Sequence, residues 1–600
     1  MAVYTNLLGQ ILVHELRFGT DRWIDAYHYD NQAHEVWHAH PSAVVGYDDG
    51  APDLAIQLRP ADGLIEQTTY YAGAGSGGAP GYVAARKLQR GAGGTPVVLQ
   101  TYQYAAHGAG GTTVYSVAAE TVYRNEDGTG AITTTYDNTF YPGTTQIQQR
   151  TTTLPVVPTN QNGSGVAAIR KSYFEGNGRE TWSMDERGFI TRNVYSLATG
   201  ALVQRIVDVN TNLVSGAPTG WTTPVGGGLN LVTDLESDDQ GRMTQTLGPT
   251  FTISLPGAAT TIRAVAWTVF DDVNHVTYAG QGFASGSEPN YSFKLIDPVA
   301  ITKMEAGGRV NEEIQATAPT TSGTLAAIIA AAGGGSAAFP QSSYTRWTTF
   351  QYTDCCLAAS QRVYRKIPAS GEGTSGTNYD ETGFGYDVMK RRNRTVTPGG
   401  TITDQVSDPR GLVVKTYIGT NDDGATETDP TGGGANPGNN MVVVDTNEFD
   451  NGQAGGDGNL TRLTQSVNAT ITRVTLTTYD FRSRPVAIDG EIDFFQQDGY
   501  DNLDRVIRSD RRDTSASGNL IMRGESRYDD RGRTYQTIRY GVDPATGTVG
   551  NTEIDNAWFD AATNVIKSLP AGSKLFAKRT YDSLGRPAVA YKGYDLEETA

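Results

Sequence analysis

Cysteine is almost absent from this chain: 600 residues contain two, adjacent at Cys355 and Cys356. Neighbouring cysteines cannot tie distant segments together, a bridge between them strains the intervening peptide, and no histidine lies nearby to complete a metal site. We read them as two thiols in a degenerate turn, which leaves stability to other devices and leaves the redox compartment open. Positive charge is also short. Lys and Arg number 48 against 65 Asp and Glu, a net charge of −17, whereas a nucleic-acid surface needs clustered cations to displace counterions. Nucleic acid is therefore not an expected partner. Long apolar runs are missing too. Leu325 to Ala332 falls far short of the roughly 18 residues needed to cross a membrane as a helix. Met1 to Gln10 lacks the basic start and apolar stretch of a secretion signal.

What is plentiful is glycine, at 71 residues, tyrosine, at 31, and threonine, a composition of many turns and strands. Hydrophobic residues are 38% of the chain, thin for a packed ball of this size but suited to a wall one or two layers thick. No break in composition divides the chain, so one large repeat array is favoured over several ordinary domains.

The repeat is clearest near the end, in Tyr581-Asp582-Ser583-Leu584-Gly585-Arg586. Asp at the first turn position bonds backbone two residues on, and Gly at the fourth takes the left-handed conformation that closes a type I turn with a bulge. Tyr and Arg are then expected to face each other across the hairpin, ring against guanidinium. Tyr528, Asp529, Gly532 and Arg533 repeat the pattern intact; Tyr500, Asp501 and Arg505, and Tyr479, Asp480 and Arg484, keep its ends without the glycine. Phe559-Asp560 is a looser copy, giving spacings of 21, 28, 31 and 22 residues, about one hairpin per unit.

These units resemble the YD repeats of the Rhs family, found in large bacterial surface proteins and polymorphic toxins and related to those of animal teneurins. The resemblance covers the last third well and the middle loosely, through Tyr386-Asp387, Phe449-Asp450, Asp408 to Gly411, Phe270-Asp271, Asp238 to Arg242 and Asp185 to Gly188. It implies an all-β array of antiparallel hairpins wound into a spiralling, hollow β-shell, with no active site of its own. Asp408-Pro409-Arg410-Gly411-Leu412 matches the string that ends the shell in toxin members, yet repeats follow it for almost two hundred residues, so we read it as a turn.

The chain is expected to divide into residues 1–120, hairpins continuous with the shell; 121–296, degenerate repeats; 297–345, an insertion with short helices at Glu312 to Gln315 and Leu325 to Ala332; and 346–600, clearer repeats cut off inside a unit shortly after Tyr594-Asp595. One motif points elsewhere. His34-Glu35-Val36-Trp37-His38 matches HExxH, in which two histidines one helical turn apart bind zinc and the glutamate activates water. On a strand, His34 and His38 stand about 13 Å apart, too far for one ion. Downstream, no third ligand sits at a recognised spacing, and we expect surface histidines on a strand, with no metal and no cofactor.

The functional expectation is a non-enzymatic structural shell of a large bacterial surface or secreted protein, extracellular by resemblance, enclosing a polypeptide cargo such as a C-terminal toxin. The alternative is a carbohydrate-binding or adhesion module, in which the tyrosines and tryptophans stack on cell-surface glycans.

Overall fold

The computed structural model describes residues 1–600 apart from 76, 256–257, 355, 433–437, 492–493, 596–597 and 599–600. Strand makes up 54% of the chain and helix 4%, so the protein is all-β. Among the described residues thirty-eight strands enter antiparallel sheet, mostly with their neighbours in sequence, and Val44–Gly46 with Gln57–Leu58 forms a separate two-stranded ribbon. Hairpin follows hairpin because tight turns recur before a strand can lengthen. The longest strands, such as Asn290–Met304, occur where those turns are furthest apart. Along Val276–Ser287 buried and exposed residues alternate, as expected of a sheet with one face packed and one face wet. Among the described residues no helix is long and apolar enough to cross a membrane.

The chain forms two compact units. The first comprises residues 1–189, 407–414 and 444–600. Its early strands bury Val13, Ile24, Ala26, Ala39 and Ile65 on one face. Its late repeats and early segments are bonded in both directions, a late turn onto early strands at Asn502 and early loops onto late strands and turns at Asn162 and Arg187. Asn502, 1% exposed, donates from its side chain to the carbonyls of Val98 at 3.0 Å and Tyr123 at 2.9 Å, and from its amide to that of Arg124. Asn162 reaches the carbonyls of Tyr535 and Ala557, and Arg187 donates to those of Asp582 at 2.8 Å and Ser583 at 2.9 Å. Such bonds, spanning some 379 to 404 residues at Asn502, satisfy carbonyls that a sheet margin otherwise leaves open.

The second unit comprises residues 190–406 and 415–443. Its main core gathers Trp267, Tyr278, Leu295, Ile301, Ile314 and Trp347, closed over by Leu325, Ile328 and Phe339 from a short helical crossing. That crossing contains the helix Leu325–Ala331, capped by the Thr324 hydroxyl accepting from the Ala327 amide, and the single turn Gly335–Ala338. A Cβ on Gly335 would stand 1.8 Å from the Tyr278 hydroxyl, so only glycine lets this turn seat on the sheet. The structure corrects the sequence reading at Glu312 to Gln315, which lies in the strand Val310–Ala316 and not in a helix. Alternation decides it: Glu312, Ile314 and Ala316 share one face, the last two buried, and the Glu312 carboxylate accepts from Lys303 at 3.2 Å and the Trp347 indole at 2.9 Å.

Candidate functional site

The recurrent chemical feature is the turn. At Asp529 the amide donates to the Arg533 carbonyl and the Gly532 amide donates back to the Asp529 carbonyl, both at 2.9 Å. One carboxylate oxygen accepts the amides of Arg531 and Arg533, and the other accepts the Arg533 Nε at 2.7 Å. Asp480 with Arg484, Asp501 with Arg505 and Asp582 with Arg586 are built the same way. The fourth turn position is left-handed: Gly532 has φ +79° and Gly585 φ +74°, while Ser483, Asp504 and Thr563 hold φ of 60°, 59° and 74° without that freedom. A one-residue register shift follows at Tyr479, Tyr500, Tyr528 and Tyr581, the bulge of each turn.

The arginine lies over the ring of the following repeat, and not over its own tyrosine as local reasoning suggested. Arg484 lies 5.0 Å from the Tyr500 ring centre, Arg505 4.6 Å from that of Tyr528, and Arg533 4.7 Å from that of Phe559. The bond from Nε to its own aspartate directs the guanidinium fork along the sheet, where Arg484 and Arg533 also donate to the carbonyls of Asp501 and Asp560 in the next turn. Tyrosine hydroxyls run the opposite way. Tyr500 donates to the Pro485 carbonyl at 2.9 Å, Tyr528 to Val506 at 3.2 Å, Tyr581 to Val565 at 2.8 Å and Tyr479 to Leu460 at 3.1 Å. At Tyr500 and Tyr528 neighbouring repeats are thus joined twice, by a cation over a ring and by a phenol on a carbonyl; at Phe559 only the cation remains, and at Tyr581 only the phenol.

The second unit uses the same device. Arg242 pairs with Asp238 and lies 4.0 Å from the Phe270 ring centre; Arg309 pairs with Glu305 and lies 4.8 Å from that of Tyr352, whose hydroxyl donates to the Val310 carbonyl at 2.6 Å. Sequence reasoning passed over this Glu305 turn because glutamate replaces aspartate and Met304 replaces the tyrosine. The Gly308-Arg309 pair is the signal that could have found it. In the next turn, Cys356 fills the left-handed position at φ 81°; its neighbour Cys355 lies outside the described residues. Asp408 to Leu412 is an ordinary turn of the series, with Gly411 donating to the Asp408 carbonyl at 2.9 Å.

The HExxH histidines fall into this scheme. Glu35–Ala39 is a strand, and His34 is the last residue of the turn at Asp30, in the position arginine holds elsewhere. Its amide and imidazole bond the Asp30 carboxylate and hold that acid below the usual carboxylate range. Its ring stacks on Tyr70 at 4.5 Å, and the Tyr70 hydroxyl donates to the Glu35 carbonyl at 2.9 Å, completing the same link. His38 instead pairs with Asp25 at 3.0 Å and stacks on Tyr27.

An aromatic, an acidic turn residue, a left-handed fourth turn position and a basic partner together make the recurring hairpin unit of this chain. No protein-family model and no curated protein matches the chain. Among solved structures it is similar to the crystal structure of TcdB2-TccC3 without the hypervariable C-terminal region, at 12% identity and TM-score 0.42 over 97% of this chain and 27% of that one. It is similar also to TcdB2-TccC3-TEV, at 12% identity and TM-score 0.41 over 98% and 26%, and to the Photorhabdus luminescens Tc holotoxin pore, at 10% and 0.27 over 89% and 26%. The chain spans about a quarter of the length of these structures.

Proposed function

We propose that this chain is a segment of an Rhs-type shell whose function is to be a wall. The observation that supports this is the ladder of turns: an acid with a basic or amide partner closes the hairpins, and rings and phenols tie them to their neighbours. These aspartates and arginines are engaged with one another and with neighbouring backbone, a use of side chains that suits construction and not turnover. In this reading the sheet winds so that late turns seal early strand ends, the wall encloses space, and that space holds a polypeptide cargo in a secreted, extracellular protein. Asn502 supports the sealing step, since it bonds backbone of early strands about four hundred residues away, and Arg187 ties an early turn to the late turn at Asp582.

Small-angle scattering on a monodisperse sample tests the proposal. A solid globule of 600 residues has a radius of gyration of about 25 Å. A wall around space exceeds that clearly and shows a depleted centre in its distance distribution. A radius at or below about 25 Å overturns the proposal.

A further inference from the structure

The strands Ile11–Phe18, Asp21–Tyr29, Glu35–Ala39 and Leu64–Tyr70 lie side by side, with His14 opposite Asp25, Tyr27 opposite His38, and His38 opposite Glu66. Alternation sends Val13, Ile24, Ala26, Ala39 and Ile65 to the buried face, and their alternates to the other. That other face gathers three imidazoles, of His14, His38 and His40, with the carboxylates of Asp25 and Glu66. Asp25, His38 and His40 each present one ligand atom, all within 4.8 Å of one another. His38 Nε2 is 3.0 Å from Asp25 Oδ1, His40 Nε2 is 3.2 Å from Glu66 Oε1, and His14 Nδ1 is 3.9 Å from Asp25 Oδ2.

We propose that Asp25, His38 and His40 form a binding site for a first-row divalent transition metal such as zinc, with Glu66 as the fourth ligand. Imidazole and carboxylate are the donors such ions take, at roughly 2.0–2.2 Å, which sets ligand atoms in a tetrahedral site roughly 3.3 Å apart. His38 to Asp25 at 3.0 Å and His40 to Glu66 at 3.2 Å lie close to that figure, so closure asks only for small shifts with the rings kept in their stacks. Ring orientation is already fixed: Tyr27 stacks flat on His38 at 4.3 Å, and the His38 and His40 rings are 4.2 Å apart. The site is partly open, with His38 and His40 side chains 18% and 26% exposed, so an ion can enter from solvent. Its place suggests its task. Residues from three successive strands would be clamped across the sheet by one ion. The spacing of HExxH pairs His38 with His34; in the sheet, His38 instead has His40 beside it two residues on and Asp25 diagonally across from it.

The experiment is a titration of tag-free protein, stripped with chelator, with cobalt(II) followed by its visible bands and with zinc followed by calorimetry and melting temperature. One equivalent of each is expected to bind, and zinc is expected to raise the melting temperature. His38→Ala and His40→Ala should each weaken binding about 100-fold or more, beyond the 10–100-fold typical of losing an outer-shell partner. Glu35→Gln should leave it unchanged. Apo-protein melting temperatures check that each variant folds, and Asp25→Asn supplies an isosteric ligand loss should an alanine variant fail. Absence of stoichiometric binding, or binding indifferent to His40 and Asp25, overturns the proposal. His34→Ala should also leave binding unchanged, and loss of binding in His34→Ala equal to that in His38→Ala overturns the proposal in favour of the HExxH pairing.

Discussion

Asp529→Ala and Asp582→Ala remove the same atoms from two turns built alike, and burial alone should separate their effects. Asp529 and Arg533 side chains are 1% and 9% exposed; Asp582 and Arg586 are 27% and 66% exposed. Each substitution deletes a carboxylate that accepts two backbone amides and one guanidinium nitrogen. At Asp582 water replaces most of what is lost, and the cost should be about 1 kcal/mol, in the range of an exposed pair plus its turn bonds. At Asp529 the Arg533 guanidinium stays buried without its counter-charge, which costs about 3–5 kcal/mol. It keeps only its place over Phe559 and its bond to the Asp560 carbonyl. A large repeat array need not unfold in one step, so a local readout is preferable to a global midpoint. Hydrogen exchange at the Arg531 and Arg533 amides, against Leu584 and Arg586, reports each turn separately. Asp529→Ala should accelerate exchange about 100-fold or more and Asp582→Ala about 5-fold, at a tenfold change per 1.4 kcal/mol. Equal acceleration in the two turns would show that burial does not set the strength of the repeat.

Two further outcomes follow from single residues. Burial alone would raise the Asp510 carboxyl, but hydrogen bonds from Arg523, at 2.8 and 2.9 Å, and from Arg508 outweigh it and bring the pKa down to about 2. Because the folded value lies below the unfolded one, the pair stabilises the fold above about pH 4, and about 2 kcal/mol should be lost as pH falls toward 2. Asp510→Asn should flatten that part of an acid-denaturation curve, and an unchanged curve would contradict the assignment. Thr563 is exposed and β-branched at φ 74°, so Thr563→Gly should stabilise its turn by about 1 kcal/mol, seen as slower exchange at Asn564; faster exchange would contradict the strain.

The turns at Asp480, Asp501, Asp529 and Asp582 were legible because the chemistry is local: a carboxylate, two amides within four residues and a left-handed fourth turn position. Beyond the turn, local rules gave less. The arginine's aromatic partner depends on which ring the next hairpin brings up, and Arg505 meets Tyr528 only once both strands are in register. Glu312 to Gln315 looked helical on composition, while the strand period, visible in Val310, Glu312, Ile314 and Ala316, was the better guide. The cluster at His38 gathers side chains from separate strands, a proximity that the sequence spacing of HExxH does not carry. Asn502 carried no signal, because its acceptors lie about four hundred residues away.

That neighbouring repeats are welded by arginine and tyrosine is best tested by double-mutant cycles on Arg505, read by hydrogen exchange at the Arg505 and Val506 amides. Arg505→Met combined with Tyr528→Leu should show a coupling of about 1 kcal/mol, the size of a partly desolvated cation over a ring 4.6 Å away. The cycle with its own hairpin's tyrosine, Tyr500→Leu, should show none within about 0.3 kcal/mol, the usual additivity of side chains not in contact. Coupling to Tyr500 and not to Tyr528 would mean that each hairpin is closed on itself and that the ladder does not join the wall.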